Sequence, residues 1–371
     1  MTQAVDAFAD LSYSSAIVFE GEAGTGKTKM LESACECVHR HKIALRPRNG
    51  TYEAMSGNAA LSFVSAVLEE QWNLTGNLSI DSKTALVREE VQKLASPFAM
   101  SYIGLLECVI PGLALNAEDL EESLPPGSVY AILLRMVSAF IISDVKHGKK
   151  AFVADNAHLL SVQTWSVLRN LFISLERNFM LILGQRSASR DENAKKISQW
   201  LANSPRSLCL HLRELSKADT ASLACAVLEV TKIPRPLATA IFEKCRGHPR
   251  FIMEVSELLL AEEKVVVEGG TCRVDKDDWD NLKLPNTMRA VMVSRLDQLS
   301  SSQQITLKVA SVIGPVFSLT LVCDGMFRAK REVTLISRWM KLTRLCSHAP
   351  VAALLPAHVG QYIRQAQTNS R

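Results

Sequence analysis

Gly21-Glu22-Ala23-Gly24-Thr25-Gly26-Lys27-Thr28 is the stretch from which the rest of the chain can be interpreted. It matches the pattern G-x-x-x-x-G-K-[ST] at every fixed position. The apolar run at residues 16–19 predicts a buried strand before it, and residues 27–41 carry apolar side chains at helical spacing after it. A strand, a glycine-rich loop and a helix in this order are the context in which the motif forms a phosphate-binding loop, or P-loop.

The residue types of this loop suit a nucleotide phosphate. Its three glycines let backbone N–H groups turn inward, and the helix that begins near Lys27 adds the positive end of its dipole. Lys27 can reach the β- and γ-phosphates, and the Thr28 hydroxyl can bind Mg²⁺. The positions predicted to bind ATP are Gly21, Glu22, Ala23, Gly24, Thr25, Gly26, Lys27 and Thr28. The alternative is a glycine turn that only joins a strand to a helix.

A second stretch, residues 150–158, predicts an apolar strand that ends in Asp155. A P-loop domain needs such an aspartate to hold Mg²⁺, usually through water; the alternative is a surface aspartate after an ordinary strand. Asn156 stands where a second carboxylate often orients the attacking water. Because an amide cannot take a proton, we expect slow hydrolysis or another group in this role. His158 could substitute, although a lone histidine is more often structural.

Arg186 follows a further apolar strand, predicted at residues 179–184. An arginine at a strand tip beside the P-loop can sense the γ-phosphate, and a solvated arginine fits the sequence equally well. With strands also at 43–45 and 208–212, five apolar strands alternate with helices. This pattern predicts an α/β fold, a P-loop NTPase parallel sheet with helices on both faces. The nucleotide is then expected at the carboxyl ends of the strands.

The pattern becomes helical after residue 215. We predict a P-loop ATPase domain at 1–215, a helical lid at 216–263, a winged-helix-like segment at 264–320 and a C-terminal tail at 321–371. The third segment opens with a hairpin turned by Gly269-Gly270. A winged helix can bind DNA, but no basic stripe with base-reading side chains is found in this segment, so packing against protein is favoured.

Composition narrows the class of protein. The 371 residues are 47% hydrophobic and 22% charged, which is typical of a soluble globular protein, and a net charge of +4 does not indicate a nucleic-acid-binding face. Nine cysteines without a C-x-x-C pair predict free thiols in a reducing cytosol, buried at Cys35, Cys108 and Cys225. The first fifteen residues do not have the pattern of a signal peptide, and the apolar stretches 98–115 and 128–145 are interrupted by charged residues, so we expect core helices, no membrane span and a cytoplasmic location.

Together these features resemble the signal-transduction ATPases with numerous domains, the STAND class of P-loop ATPases. The resemblance runs from about residue 16 to residue 317 and starts from the P-loop. Asp155-Asn156-Ala157-His158 followed by Thr164-Trp165 is similar to the class's Asp-Asp-Ala-Gln/His…Ser-Trp segment. The other matching segments are Leu212–Leu215, Gly247-His248-Pro249 and Leu284-Pro285…Arg295-Leu296. In the class the Gly-x-Pro turn lies against the adenine, which implies adenine contacts for Gly247 and Pro249.

Within this class, the chain resembles the ATPase module downstream of the cyclase domains in soluble (type 10) adenylyl cyclase. That resemblance implies an ATP-binding signalling module with Mg²⁺-dependent, slow hydrolysis, acting with a protein partner or further domains of a longer chain. The class's adenine-binding Gly-Arg-Glu segment is not found in residues 1–15, and no stretch could hold a cyclase catalytic domain, so we expect a fragment or shortened isoform. The other function left open is a nucleotide-stabilised interaction scaffold without turnover, which Asn156 favours.

Overall fold

The structure, a computed structural model, describes residues 1–11, 13–46, 52–53, 61–74, 78–115, 124–125, 128–186, 192–273 and 296. The chain divides into two compact units. Among the described residues, the first comprises those within 1–220 and 246–251, and the second comprises residues 221–245, 252–273 and 296. The helices expected after the hairpin and the C-terminal tail lie outside the described residues apart from residue 296, and the four domain ranges set out above remain predictions.

The first unit is built around a parallel β-sheet. Its strands are β1 Ser15–Glu20, β2 Ala44–Arg46, β3 Tyr52–Glu53, β4 Lys150–Asp155, β5 Phe179–Gln185 and β6 Ser207–His211. Five of them lie in the order β2-β4-β5-β1-β6, and the short β3 also pairs with β4. All these pairings are parallel, so the carboxyl ends of the strands meet at one edge. Strand β5 therefore separates the strand that leads into the P-loop from the strand that ends in Asp155.

Helices cover both faces of this sheet. They are α1 Thr2–Leu11, α2 Lys27–Arg40, α3 Ser62–Gln71, α4 Ile80–Lys93, α5 Pro97–Ser101, α6 Ser128–Lys146, α7 Val162–Ser174 and α8 Glu192–Ala202, with short 3-10 helices at Ile103–Cys108 and Ala157–Leu159. Residues of α1 and α2 form the buried cluster on one face, and residues of α3, α4, α6, α7 and α8 form the cluster on the other. The predicted α/β fold with helices on both faces is thereby confirmed.

Side chains along each strand alternate between the two clusters, as the two-residue period of a strand requires. On β4, Ala151 and Val153 belong to the cluster that contains α2, whereas Phe152 and Ala154 belong to the opposite cluster. Continuing this alternation, Asp155 faces the side of the sheet that carries α2. The position of its carboxylate is therefore set by the register of a buried strand.

Three local features were not predicted correctly. No helix or strand was assigned to residues 1–15, yet residues 2–11 form a helix whose Val5 and Phe8 are buried. The sequence predicts one apolar helix over 98–110, but that helix ends at Ser101 and the chain continues as a 3-10 helix that contains Gly104, a poor α-helix former. The sequence suggests Asp81 or Ser82 as the cap of α4, but the cap is Ser79, whose hydroxyl accepts from the Ser82 N–H.

The cysteine prediction holds in part. Within the described ranges, none of the seven cysteines forms a disulfide, and Cys35 is buried. Cys108, however, is exposed, and Cys225 is only half-buried. Cys108 is the last residue of the 3-10 helix that takes the place of the expected α-helix. It therefore does not lie on the buried face that an α-helix would have presented there.

Among the described residues, α6 is long and apolar enough to cross a membrane, judged by length and composition alone. Its Val137, Phe140 and neighbouring apolar residues are buried in one of the two core clusters of the sheet. Near its end Asp144 pairs with Arg46 of β2 at 3.3 Å and with Lys150 of β4 at 3.2 Å. One face of α6 is thus packed against the first unit's sheet and its neighbouring helices.

Beyond residue 216, the described chain forms helices and a hairpin. These are α9 Lys217–Val227, α10 Arg235–Cys245, α11 Pro249–Ala261, β7 Val266–Glu268 and β8 Thr271–Arg273. The hairpin is antiparallel, and Gly269 and Gly270 have φ values of 56° and 73°, a region that favours glycine. The Gly-Gly pair thus turns the chain as its sequence predicts, and the Thr231 N–H donates to the Gly270 carbonyl at 2.9 Å.

Candidate functional site

The P-loop connects the end of β1 to the start of α2. Gly24 and Gly26 have φ values of 81° and 97°, which non-glycine residues rarely adopt. Gly26 is the residue immediately before α2, so the loop leads directly into the helix N-terminus. Glycines therefore occupy the two loop positions whose backbone has a positive φ, and phosphate binding by this loop stays a prediction.

Lys27 lies at the centre of this loop and is only 7% exposed. Its ammonium donates to the carbonyls of Gly21 at 2.9 Å and Glu22 at 2.7 Å. Burial lowers its pKa, and the nearby positive charge of Arg186 lowers it further, while Asp155 and Glu22 act in the opposite direction. A buried ammonium held by neutral carbonyls is well suited to bind phosphate oxygens, because charge-assisted hydrogen bonds are stronger than neutral ones.

Thr28 and Asp155 come together although 127 positions separate them in the sequence. The Thr28 hydroxyl donates to Asp155 Oδ2 at 2.5 Å, and the Asn156 N–H donates to Asp155 Oδ1 at 2.7 Å. Mg²⁺ is bound by oxygen ligands, typically one or two protein groups together with substrate phosphates. A hydroxyl and a buried carboxylate beside a phosphate cradle fit that ligand set.

Gly184 is a site residue that our reading of the sequence missed. It lies near the end of β5, the strand between the one that carries Asp155 and the one that leads to the P-loop. A Cβ at Gly184 would lie 2.7 Å from Asp155 Oδ1 and 2.8 Å from Leu31 Cδ1 of α2. The carboxylate therefore crosses above the bare backbone of Gly184 to reach Thr28. The available signal was a glycine inside an otherwise apolar strand, which indicates a close approach.

We expect Gly184→Ala to destabilise the protein by about 1–3 kcal/mol, because the added methyl overpacks two buried neighbours. Urea unfolding of both proteins measures this difference. If the clash with Asp155 is responsible, Gly184→Ala should lower the free energy of unfolding by less in the Asp155→Ala background, which a double-mutant cycle measures. An equal penalty in both backgrounds would contradict the proposed path of the carboxylate.

Asn156 has a left-handed backbone, with φ of 51° and ψ of 34°, and precedes the 3-10 helix. Asparagine and aspartate are the non-glycine residues that tolerate this region best. The residue type at this position is therefore favoured by conformation as well as by any chemical role. Its predicted role in limiting hydrolysis stays a prediction.

His158 and Arg186 lie together at the same edge of the sheet. The Arg186 N–H donates to His158 Nδ1 at 3.4 Å, and the Arg186 side chain is exposed. Burial lowers the pKa of His158 to about 4, and the positive charges of Arg186 and Lys27 act in the same direction. The imidazole is therefore neutral near pH 7 and a weak proton acceptor. For Arg186, both the γ-phosphate-sensing and the solvated interpretation remain open.

The lowered pKa of His158 predicts a pH-dependent stability. Between its ordinary value of 6.5 and about 4, the unfolded chain binds a proton that the folded chain does not. The free energy of unfolding should therefore decrease as the pH falls from 6.5 to about 4. Urea unfolding across the window should give a shallower pH dependence for His158→Gln than for the wild type. The exposed His147 supplies the control, and a slope changed equally by His147→Gln would contradict the assignment.

Gly247 is held against the chain that follows β6. The Leu215 N–H donates to the Gly247 carbonyl at 2.7 Å. The φ of Gly247 is 75°, and a Cβ there would lie 2.2 Å from the Leu215 carbonyl oxygen. Only glycine fits this position. Pro249 is the first residue of α11, and the adenine contacts expected of Gly247 and Pro249 stay predictions.

The turn at residues 247–250 also contacts the P-loop backbone directly. His248 Nε2 donates to the Ala23 carbonyl at 2.9 Å, and the Arg250 N–H donates to the Gly24 carbonyl at 3.2 Å. A Cβ at Gly24 would lie 2.6 Å from His248 Cε1. His248 and Arg250 are therefore P-loop contacts that sequence reasoning did not identify. His248 and Ala23 are 225 positions apart, and no local sequence signal indicates that two such distant residues are in contact.

Comparisons with known proteins add a general likeness. The sequence matches no protein-family model and no curated protein. Among solved structures, the chain is similar to the Orc1 protein of Aeropyrum pernix in complex with DNA, with a TM-score of 0.38 and 12% identity over 92% of this chain and 80% of that one. That structure contains DNA; for this chain, the absence of a nucleic-acid-binding face stays a prediction. The parallel sheet, the glycine loop after β1 and the carboxylate at the end of β4 give this chain the α/β fold of a P-loop NTPase.

Proposed function

We propose that the chain is an ATP-binding regulatory module that hydrolyses ATP slowly with Mg²⁺. The observation that carries this proposal is the hydrogen bond of 2.5 Å between Thr28 and Asp155, next to the buried ammonium of Lys27. One cation for phosphate and two oxygen ligands for a metal lie at the edge of the sheet where P-loop proteins bind nucleotides.

Each group has a defined role in this proposal. The P-loop N–H groups and the α2 N-terminus bind the phosphates, and Lys27 exchanges its loop carbonyls for phosphate oxygens. Thr28 and Asp155 would hold Mg²⁺, which would supply positive charge to neutralise the bound phosphates. In this proposal Arg186, whose exposed side chain follows β5 directly, responds to the γ-phosphate.

Slow turnover is supported by the groups beside Asp155. An amide at Asn156 cannot take a proton from water. His158 Nδ1 already accepts a hydrogen bond from the Arg186 N–H, and burial lowers the pKa of His158 to about 4. Efficient general-base catalysis requires a group whose pKa lies near the working pH, which neither residue supplies.

The regulatory part of the proposal rests on the turn at residues 247–250. Its His248 and Arg250 bind the carbonyls of Ala23 and Gly24, so a nucleotide that reshapes the P-loop also acts on the start of α11. We propose this turn as the route from the nucleotide state to the helical lid predicted at 216–263. In this proposal the chain works with a protein partner or further domains, as in the STAND class and the non-cyclase part of soluble adenylyl cyclase.

A nucleotide-stabilised interaction scaffold without turnover is the second candidate, and Asn156 is the observation that favours it. Titration of ATP and ADP with and without Mg²⁺, together with phosphate release under single-turnover conditions, separates the two. Mg²⁺-dependent ATP binding with measurable release supports the ATPase. Tight binding with no release supports the scaffold, and no nucleotide binding would contradict both.

We expect Asn156→Asp to raise the rate of phosphate release severalfold with little change in ATP affinity. A well-placed general base contributes about 10²–10⁴-fold, and a carboxylate in an unprepared site should supply only part of this. Aspartate is preferred to glutamate because it tolerates the φ of 51° at this position. Asn156→Gly keeps the backbone and adds no base, so an equal gain in that variant would contradict the assignment.

A further inference from the structure

Three side chains of metal-binding type converge near the carboxyl ends of β1 and β6. Glu20 ends β1 and lies opposite His211 in the parallel register with β6. Cys209 lies two residues before His211, so the two side chains share one face of the strand. Within the described ranges, these residues form the group whose carboxylate, thiol and imidazole ligand atoms all lie within 4.8 Å of one another.

This group faces away from helix α2. Along β6, Leu210 and Leu212 pack against the cluster that contains α2, so Cys209 and His211 face the opposite side. Along β1, Ile17 and Phe19 belong to that same cluster, which places Glu20 on the opposite face as well. The group is therefore separate from the Thr28–Asp155 pair, although it lies near the same edge of the sheet.

The distances within the group are close to those of a metal site. Cys209 Sγ lies 3.8 Å from Glu20 Oε2 and 3.8 Å from His211 Nε2, and Glu20 Oε2 lies 3.7 Å from His211 Nδ1. In tetrahedral zinc, bonds of about 2.3 Å to sulfur and about 2.0 Å to nitrogen place those two atoms roughly 3.5 Å apart. Small side-chain rotations would bring one atom of each residue to a single ion.

The surroundings leave room for an exchangeable ligand. The group borders a cavity of about 270 Å³, also lined by Gln185 and Ser198, whose side chains are hydrogen-bonded at 2.5 Å. The Glu20 side chain is 18% exposed and that of His211 is 63% exposed, so solvent reaches the ligands from one side. Three protein ligands with an open fourth position are typical of accessible zinc sites.

We propose that Glu20, Cys209 and His211 bind one zinc-class divalent cation, with water as the fourth ligand. Thiolate and imidazole ligands favour Zn²⁺ over Mg²⁺, which prefers oxygen. Because Gly21 follows Glu20 directly, the ion would tie the edge strand β6 to the residue that opens the P-loop. The site does not depend on whether the P-loop binds ATP.

Cobalt titration of the reduced full-length protein without nucleotide tests this site. We expect one equivalent of Co²⁺ to give a thiolate-to-cobalt charge-transfer band that added Zn²⁺ removes by competition. Cys209→Ser should abolish the band. His211→Asn and Glu20→Gln should weaken Co²⁺ binding by more than the roughly 10–100-fold lost with an outer-shell partner. Zn²⁺ should raise the unfolding temperature of the wild type but not of Cys209→Ser.

Two variants serve as controls. Burial raises the pKa of Cys272, and the nearby Cys225 raises it further, so these two thiols lie close together. Cys225→Ser removes the half-buried member of this pair and tests whether the pair gives rise to the band. Asp155→Asn tests the predicted Mg²⁺ site on the opposite face. Both should keep the band. The proposal is overturned if the wild type gives no band at saturating Co²⁺, if the band survives Cys209→Ser, or if Cys225→Ser removes it.

Discussion

Replacing Lys27 by alanine is expected to weaken ATP binding by about 10- to 100-fold. A hydrogen bond to a charged group contributes roughly 1.5–3 kcal/mol, and each 1.4 kcal/mol is a tenfold change in affinity. The ammonium lies inside the loop and donates to two backbone carbonyls, so in the proposed function its charge is available to a phosphate bound in the loop. Isothermal titration with ATP measures the difference directly.

Lys29 offers a matched control for this experiment. It lies on the same helix two residues later, its side chain is 81% exposed, and it pairs with Glu32 at 3.0 Å. Lys29→Ala removes the same charge from the protein without touching the loop and should leave ATP affinity nearly unchanged. If both variants bind ATP alike, or if Lys27→Ala binds as well as the wild type, the P-loop assignment fails.

Replacing Asp155 by asparagine should remove the Mg²⁺-dependent part of ATP binding and slow phosphate release by about 100-fold or more. A bound metal contributes several kcal/mol to stabilising the charge that develops during phosphoryl transfer. Asparagine keeps the shape of the side chain and can still accept from Thr28, so the local packing should survive. ATP affinity measured in the presence of EDTA should change little.

Asp144→Asn is the control for loss of a buried carboxylate. Asp144 pairs with Arg46 and Lys150 at the opposite end of β4, so its variant should lose stability but keep its response to Mg²⁺. Equal losses of ATP binding with and without Mg²⁺ in Asp155→Asn would indicate misfolding. An unchanged response to Mg²⁺ in Asp155→Asn would contradict its role as a metal ligand.

The features that the sequence predicted well are those encoded over short distances. The P-loop, the strand before it and the helix after it are neighbours in the chain, and their residue types follow from backbone geometry. The Gly269-Gly270 turn is predictable for the same reason, since glycine supplies the positive φ that the hairpin needs. Helix α1 was missed because no glycine, proline or capping signal marks it, and burial of Val5 and Phe8 stabilises it.

The sequence alone therefore determined the class of fold and the position of the glycine-rich loop between β1 and α2, because periodicity and loop chemistry act within a few residues. Only the tertiary structure decided that β5 lies between β1 and β4, that Asp155 crosses Gly184 to reach Thr28, and that His248 binds the P-loop backbone. Strand order and cross-sheet neighbours depend on how segments more than a hundred residues apart pack. No local sequence pattern encodes the strand order, because the free energy that favours one order comes from burying both faces of the sheet at once.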